Sequence, residues 1–329
     1  MFRHLGNFTK FVALTKEKLL MAGMLPKLQS NKSVMFGHIG ALICVIMWGV
    51  SFVSSKVLLN YGMTPVEVYI NRFIIAYILV ALIKPTRLLS QNWVDELLLA
   101  LCGMLSGSVY FLAENYALEY TLVSNVSLLT STSPLLTTLL IMILYRSDSP
   151  GSGMIIGSLV AFIGVACVIF NSSFDLKINP LGDFLALGAA LSWAFYSMLL
   201  KKLNANYDVY FITRKTFFYG VLTALPMYLV EPPTFDPIKI VQDWHMLSNL
   251  LFLGLGASLV GFLLWAETVK KVGALKANNY MYLQPIVTLI ASVILLNEGV
   301  SIVGYVGCAL ILIGLWLGDY LTHGKKMQD

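Results

Sequence analysis

Ten apolar runs of near-bilayer length follow one another along this chain, separated by short polar connectors: 37–58, 65–84, 95–117, 123–144, 151–171, 181–200, 210–230, 248–268, 274–296 and 301–320. Each is close to the roughly 20 residues with which a helix crosses about 30 Å of hydrocarbon. The runs are continuously apolar rather than alternating, which selects helices over a barrel. Composition points the same way, with 58% hydrophobic residues and 12% charged. Soluble domains carry about a quarter charged residues, and a soluble chain so poor in charge has too little to cover its surface. The sequence therefore predicts an all-α multi-pass membrane protein of ten transmembrane helices.

The basic residues orient these spans. A formal net charge of +5 can signal nucleic acid, but here the charges lie between apolar runs, where bilayer orientation accounts for them. Membrane lipid is the expected environment, and no nucleic-acid partner is expected. With the N-terminus inside, the cytoplasmic connections carry Lys84, Arg87, Arg146, Lys201, Lys202, Arg214, Lys215, Lys270, Lys271 and Lys276, and the tail at 321–329 adds Lys325 and Lys326. Of the 22 Lys and Arg, only Lys56, Arg72, Lys177 and Lys239 fall within or beyond the outer half. An odd number of spans would spoil this bias, so both termini are expected in the cytoplasm and the chain in the plasma (inner) membrane. Residues 1–36 form a basic N-terminal tail in which Leu19, Leu20, Met24 and Leu25 can line one face of an interfacial helix. Met35 offers an alternative start, and no cleaved signal peptide is expected. The seventh run is the weakest. Its uncharged stretch from Thr216 to Val230 is only 15 residues, so Arg214 and Lys215 are expected to snorkel or the membrane to thin.

The chain also resembles itself. GHIGALICVIMWG around Trp48 aligns with GDFLALGAALSWA around Trp193, pairing Gly37 with Gly182, Ala41 with Ala186, Leu42 with Leu187 and Lys56 with Lys201. Phe111 then pairs with Phe262 and Pro134 with Pro285; a one-residue adjustment pairs Gly157 with Gly307 and Gly164 with Gly314. The repeats are expected at 37–171 and 181–320, five spans each. Because five is odd, the second copy enters from the opposite side, giving two inverted repeats. That architecture lets a carrier expose one site to either side in turn.

Two runs combine polar residues with a mid-span proline. The fourth carries Asn125, Ser127, Thr130, Ser131 and Pro134; the ninth carries Asn278, Asn279, Tyr282, Gln284 and Pro285. Each proline leaves the carbonyl four residues earlier under-satisfied, here at Thr130 and Met281, and such groups must face protein or water. A polar cavity between the halves is one reading. Packing is the other, since Ser and Thr bond back to their own helix. Asn115 and Glu114 lie near the outer end of the third run, where Glu114 is a candidate for proton coupling or an ordinary boundary charge. Glu267 reads as a boundary charge, and Arg72 as a helix anchor before an attractor of anionic substrate. Trp48, Trp193, Tyr196 and Trp265 lie well inside the runs, where they can line a cavity wall or serve close packing. Gly157 with Gly164, and Gly307 with Gly314, each fall on one helix face and suit helix contact.

Enzyme signatures are missing: there is no HExxH, P-loop, GxSxG or GxGxxG after a strand. Cys44, Cys102, Cys167 and Cys308 lie singly in apolar runs without a CxxC pair. His4, His38, His245 and His323 lie in tails or near span ends. Neither metal, cofactor nor ATP-driven chemistry is implied.

CVIMWGVSF, with Trp48, Gly49 and Phe52, resembles the AxxWGxxF pattern of the drug/metabolite transporter superfamily and its EamA-type carriers, with Val45 at the opening small-residue position. Asn71, Arg72 and Phe73 resemble the family's NRF start of the second helix. ENYALEYTLVSNVSLLTSTSPLLTTLL and AETVKKVGALKANNYMYLQPIVTLIASVILLNE extend the likeness, the latter ending in Asn297–Glu298. Tyr145–Arg146 stands where a glutamate is common, which argues against a symmetric role for Glu298. The resemblance covers about residues 37–320. It implies a secondary exporter of amino acids, their analogues, other small metabolites or toxic compounds, with a central cavity between the repeats. A monomer or homodimer is expected, with a proton gradient as candidate driving force. Uptake or facilitated diffusion by the same fold, and a non-transporting receptor or scaffold, are the alternatives.

Overall fold

A computed structural model describes residues 31–326 apart from 86, 122, 145–151, 170–178, 235, 289 and 291–301. The basic tail at 1–30, Tyr145–Arg146 and Asn297–Glu298 thus lie outside the described residues. Everything described is helix, turn or connector, with no strand.

The helices are α1 (Asn31–Asn60), α2 (Pro65–Ile83), α3 (Trp93–Tyr120), α4 (Val123–Thr130), α5 (Ser133–Leu144), α6 (Ser152–Ile169), α7 (Pro180–Leu203) and α8 (Val209–Ala224). A short α9 (Pro237–Gln242) precedes α10 (Trp244–Val272), α11 (Ala274–Asn279) and α12 (Ile302–Lys326). Among the described residues, α2, α3, α7, α10 and Ser33–Asn60 of α1 are long and apolar enough to cross a membrane. Ser133–Ile143, Ser152–Cys167 and Ile302–Gly318 are shorter apolar helices. Ile39, Ile43 and Ile46 of α1, and Leu312, Ile313 and Trp316 of α12, remain exposed on outward faces, as a lipid-facing surface requires. The protein is an all-helical multi-pass membrane protein.

Local chemistry sets the helix starts. Thr64 and Glu67 form a capping box with Pro65 in the first turn of α2. Asn92 caps α3 through the Asp95 N–H, and Asn179 caps α7 ahead of Pro180. The α1 helix begins at Asn31, inside the expected tail, and α12 runs on to Lys326. Helical hydrogen bonding does not stop at the hydrocarbon boundary, so hydropathy marks the span and not the helix.

Two interruptions fall inside spans. Met104–Val109 of α3 and Phe252–Val260 of α10 are π-helical, and the register that pairs Phe111 with Phe262 also brings these two segments into correspondence. Wider π turns of this kind often adjoin functional sites. The fourth run breaks into α4 and α5 at Ser131–Thr132, just before Pro134, and a 3-10 turn at Tyr280–Leu283 precedes Pro285.

The two halves of the sequence interlock. A Cβ at Gly40 of α1 would sit 2.9 Å from Thr268 Oγ1 of α10, and one at Gly103 of α3 would sit 2.7 Å from the Thr216 carbonyl of α8. Along α6 and α12, Gly157 meets Gly314 and Gly318, while Gly164 meets Gly307 and Ile311. Backbone approach this close is open only to glycine, and it supplies the dispersion contact that holds helices together in lipid.

The seventh run departs from expectation. Arg214 and Lys215 do not snorkel; both are buried. Lys215 pairs with Glu96 of α3, which also accepts from Tyr219 and from the Ser90 N–H at 2.8 Å. Arg214 donates to the Arg87 carbonyl. A partner on a neighbouring helix does the work expected of water, and hydropathy along one segment carries no record of it.

Candidate functional site

At the centre, aromatic side chains from α1, α3, α7 and α10 converge. Trp48 lies 5.2 Å from Trp193 and 5.0 Å from Trp265, centroid to centroid, and Trp193 lies 5.2 Å from Tyr110 and 5.0 Å from Tyr196. Repeat-paired Phe111 and Phe262 meet at 6.3 Å. Two of the three indoles are pinned: Trp48 Nε1 donates to the Ala257 carbonyl at 2.8 Å, and Trp193 Nε1 to Asn278 Oδ1 at 3.2 Å. The Ala257 carbonyl lies in the π-helical stretch of α10, where ordinary i→i−4 pairing is relaxed.

A narrow cleft opens beside this cage, lined by Trp48, Ser51, Phe52, Tyr110, Phe111, Glu114, Trp193, Met281 and Gln284. Its volume of about 10 Å³ accommodates about one water, against about 300–1,000 Å³ for small-molecule sites. Among the described residues, this cleft is thus closed. Polar ties join the two halves at both ends of α2 and α3. At one end lies the Glu96–Lys215–Tyr219 cluster, with Tyr207 donating to Asp95 at 2.7 Å. At the other, Tyr116 donates to Glu231, and the Thr234 N–H to Glu67 Oε1 at 2.9 Å.

Of the residues singled out from sequence, Trp48, Trp193, Glu114 and Gln284 line the cleft. Trp265 and Tyr196 form the cage behind it. Asn278 is buried, accepting from Trp193 and from Ser197 Oγ at 3.3 Å and donating to the Ala274 carbonyl at 3.0 Å. Asn115 donates to the Pro65 carbonyl at 3.1 Å, tying α3 to the start of α2. Thr130 and Ser131 bond back to the Val126 and Ser127 carbonyls at 2.8 and 2.7 Å. Ser127 is buried and Asn279 half-buried. Tyr282 sits in a separate apolar cluster with Val165 and Ile311. The Asn125 side chain lies outside the described residues, so a common cavity for the two polar helices is not on view. Glu267 makes an i,i+4 ion pair with Lys271 at 3.4 Å, a surface arrangement.

Sequence reading passed over Tyr110, Phe111, Ser51 and Phe52 as lining residues. Ser51 and Phe52 stand one turn beyond Trp48, so helical period alone was a usable signal. The burial of Arg72 also differs from that of a residue at the helix boundary. Because α2 starts at the Pro65 cap, Arg72 comes two turns in, about 10 Å along the axis, and is fully buried. Its Nε donates to Ser258 Oγ at 2.9 Å and its Cζ lies 4.4 Å over the Phe111 ring. Glu114, 2% exposed, interacts with Arg72 and Tyr110. Among the described residues no group of three or more His, Cys, Asp or Glu is arranged to hold a metal.

Interlocked apolar helices around an occluded aromatic cleft define a polytopic membrane protein. The chain belongs to the EamA-like transporter family, which it matches over residues 35–170 and 180–318, within the drug/metabolite transporter superfamily. It is 28% identical over 306 residues to an uncharacterized transporter of Clostridium kluyveri, covering 89% of this chain and 95% of that one. It is 22% identical to a probable amino-acid metabolite efflux pump of Escherichia coli, covering 87% and 95%. A solved crystal structure shares the fold, with a TM-score of 0.70 at 17% identity over 89% of this chain and 98% of that chain. The protein is a small-molecule transporter of the membrane.

Proposed function

We propose that this protein is a secondary carrier that exports amino acids or related small amphipathic metabolites across the plasma membrane, with both termini cytoplasmic. The observation that carries the reading is the closed cleft at the meeting of repeat-paired Trp48 with Trp193 and Phe111 with Phe262. Residues equivalent in the two halves meet across such a centre when the halves are related by a pseudo-two-fold axis. A 10 Å³ cleft admits no metabolite, so transport requires the halves, 37–171 and 181–320, to part first at one end and then at the other. The Glu96–Lys215 ties would yield in the inward-open state and the Tyr116–Glu231 tie in the outward-open state. The Lys and Arg distribution supports this orientation. The description of the Escherichia coli relative as an amino-acid metabolite efflux pump supports the substrate class.

Export against a gradient needs a coupled ion, and Glu114 is the cleft carboxylate that can carry a proton. The test is flux into and out of proteoliposomes with a panel of amino acids, with and without an imposed proton gradient. Substrate-dependent counterflow is expected. A correctly folded protein that moves nothing in the panel would sink the carrier reading. Glu114→Gln should abolish the response to the proton gradient while counterflow persists; an unchanged response removes Glu114 from coupling.

A further inference from the structure

Building on that carrier reading, we infer that the transported molecule carries a carboxylate and that Arg72 is the residue that recognises it. Arg72 has no exposed surface, and only its Nε is engaged, by Ser258 Oγ at 2.9 Å. Nη1 and Nη2 are buried and have no hydrogen-bond partner among the described residues. A guanidinium held in a span for structural reasons alone would place these donors on carbonyls or a carboxylate, because leaving them unpaired away from water is costly. Two parallel N–H donors from Nη1 and Nη2 match the two oxygens of a carboxylate in a way that an ammonium group does not.

The surroundings give the site an entrance. Phe111 lines the cleft and has the Arg72 guanidinium 4.4 Å from its ring centroid. Arg72 itself is fully buried and does not line the cleft in the closed state, whereas its neighbour Phe111 does. Glu114 lines the same cleft and interacts with Arg72 electrostatically without forming an ion pair. Arg72 is thus partly balanced at rest while its fork stays open. When the halves part, displacement of the Phe111 ring admits an anionic group to Nη1 and Nη2. The faces of Trp48 and Trp193 are then left for a cationic or apolar remainder.

The test uses the full-length protein in proteoliposomes and compares each proteinogenic L-amino acid with its own carboxamide, which keeps the side chain and amine but not the carboxylate. The acid should move or compete at least about tenfold better than its amide, the discrimination expected when a site's charged donors are left unpaired. Arg72→Gln should abolish that preference. Arg72→Lys, which keeps the charge without the fork, should weaken acid binding about tenfold. Amides or the corresponding amines moving as fast as the acids would overturn the assignment and leave the carrier reading intact, as would Arg72→Gln with unchanged acid affinity. Absence of flux for acids, amides and amines alike would overturn both. If Arg72→Gln fails to fold, Arg72→Lys decides the assignment, and undiminished acid binding in that variant would overturn it.

Discussion

The indole rings of Trp48 and Trp193 meet edge to face, with centroids 5.2 Å apart and planes at 84°. Both N–H groups are satisfied elsewhere, by the Ala257 carbonyl and the Asn278 amide. Such pairs contribute about 0.5–1.5 kcal/mol beyond their buried area. Trp193→Phe keeps an edge for Trp48 but loses the bond to Asn278. It should cost about 1 kcal/mol, whereas Trp193→Ala should cost about 3–5 kcal/mol. Thermal unfolding in detergent measures both. Asn278→Ala added to Trp193→Phe should cost less than the two changes summed, because they share one hydrogen bond.

The glycines of α6 and α12 make a sharper contrast. A Cβ at Gly157 would lie 2.5 Å from the Gly314 carbonyl and from Gly318 Cα, all backbone atoms, whereas a Cβ at Gly188 meets nothing within 4 Å. Gly157→Leu should separate α6 from α12 and lower the unfolding temperature and yield of the purified protein. Gly188→Ala should raise stability by about 0.5–1 kcal/mol, through helix propensity and unfolded-chain entropy. Equal effects of the two changes would contradict the packing described.

Glu96 and Lys215 form a buried ion pair joining α3 to α8. Lys215→Met strands the Glu96 carboxylate with only Tyr219 and the Ser90 N–H, and should destabilise by about 3–5 kcal/mol. Adding Glu96→Leu should restore much of that loss, because the desolvation penalty leaves with the charge. Chemical crosslinking or cysteine accessibility in the double variant should report more frequent opening at this end of the molecule.

Pro134 follows the break between α4 and α5, where the Thr130 carbonyl accepts from Ser133 Oγ at 2.7 Å. Pro134→Ala returns a backbone donor and lets one helix run through Ser131–Thr132. Stability should hold or rise, while counterflow in proteoliposomes should fall severalfold as the hinge stiffens. Faster flux would argue against a hinge at this point.

The sequence by itself determined that the chain is helical and lives in lipid, because hydropathy depends on each segment's own transfer from water. It also determined the family, through Trp48, Gly49 and Phe52 and the stretch around Pro134, and the glycine faces of α6 and α12, through seven-residue spacing. The cage was legible in part, since Trp48, Trp193 and Trp265 stand out as aromatics deep in apolar runs. Partnership was not legible. Lys215 looked like a residue that must reach water, yet Glu96 arrives from a helix more than a hundred residues earlier. Arg72 looked like an anchor until the Pro65 cap fixed how deep it lies and α10 brought Ser258 to its Nε. Thr130 and Ser131 are open between cavity and packing on sequence alone, and the structure shows both bonding back to their own helix. Hydropathy and periodicity are properties of one segment; a buried charge is decided by what another segment brings to it, and only the tertiary structure holds that information.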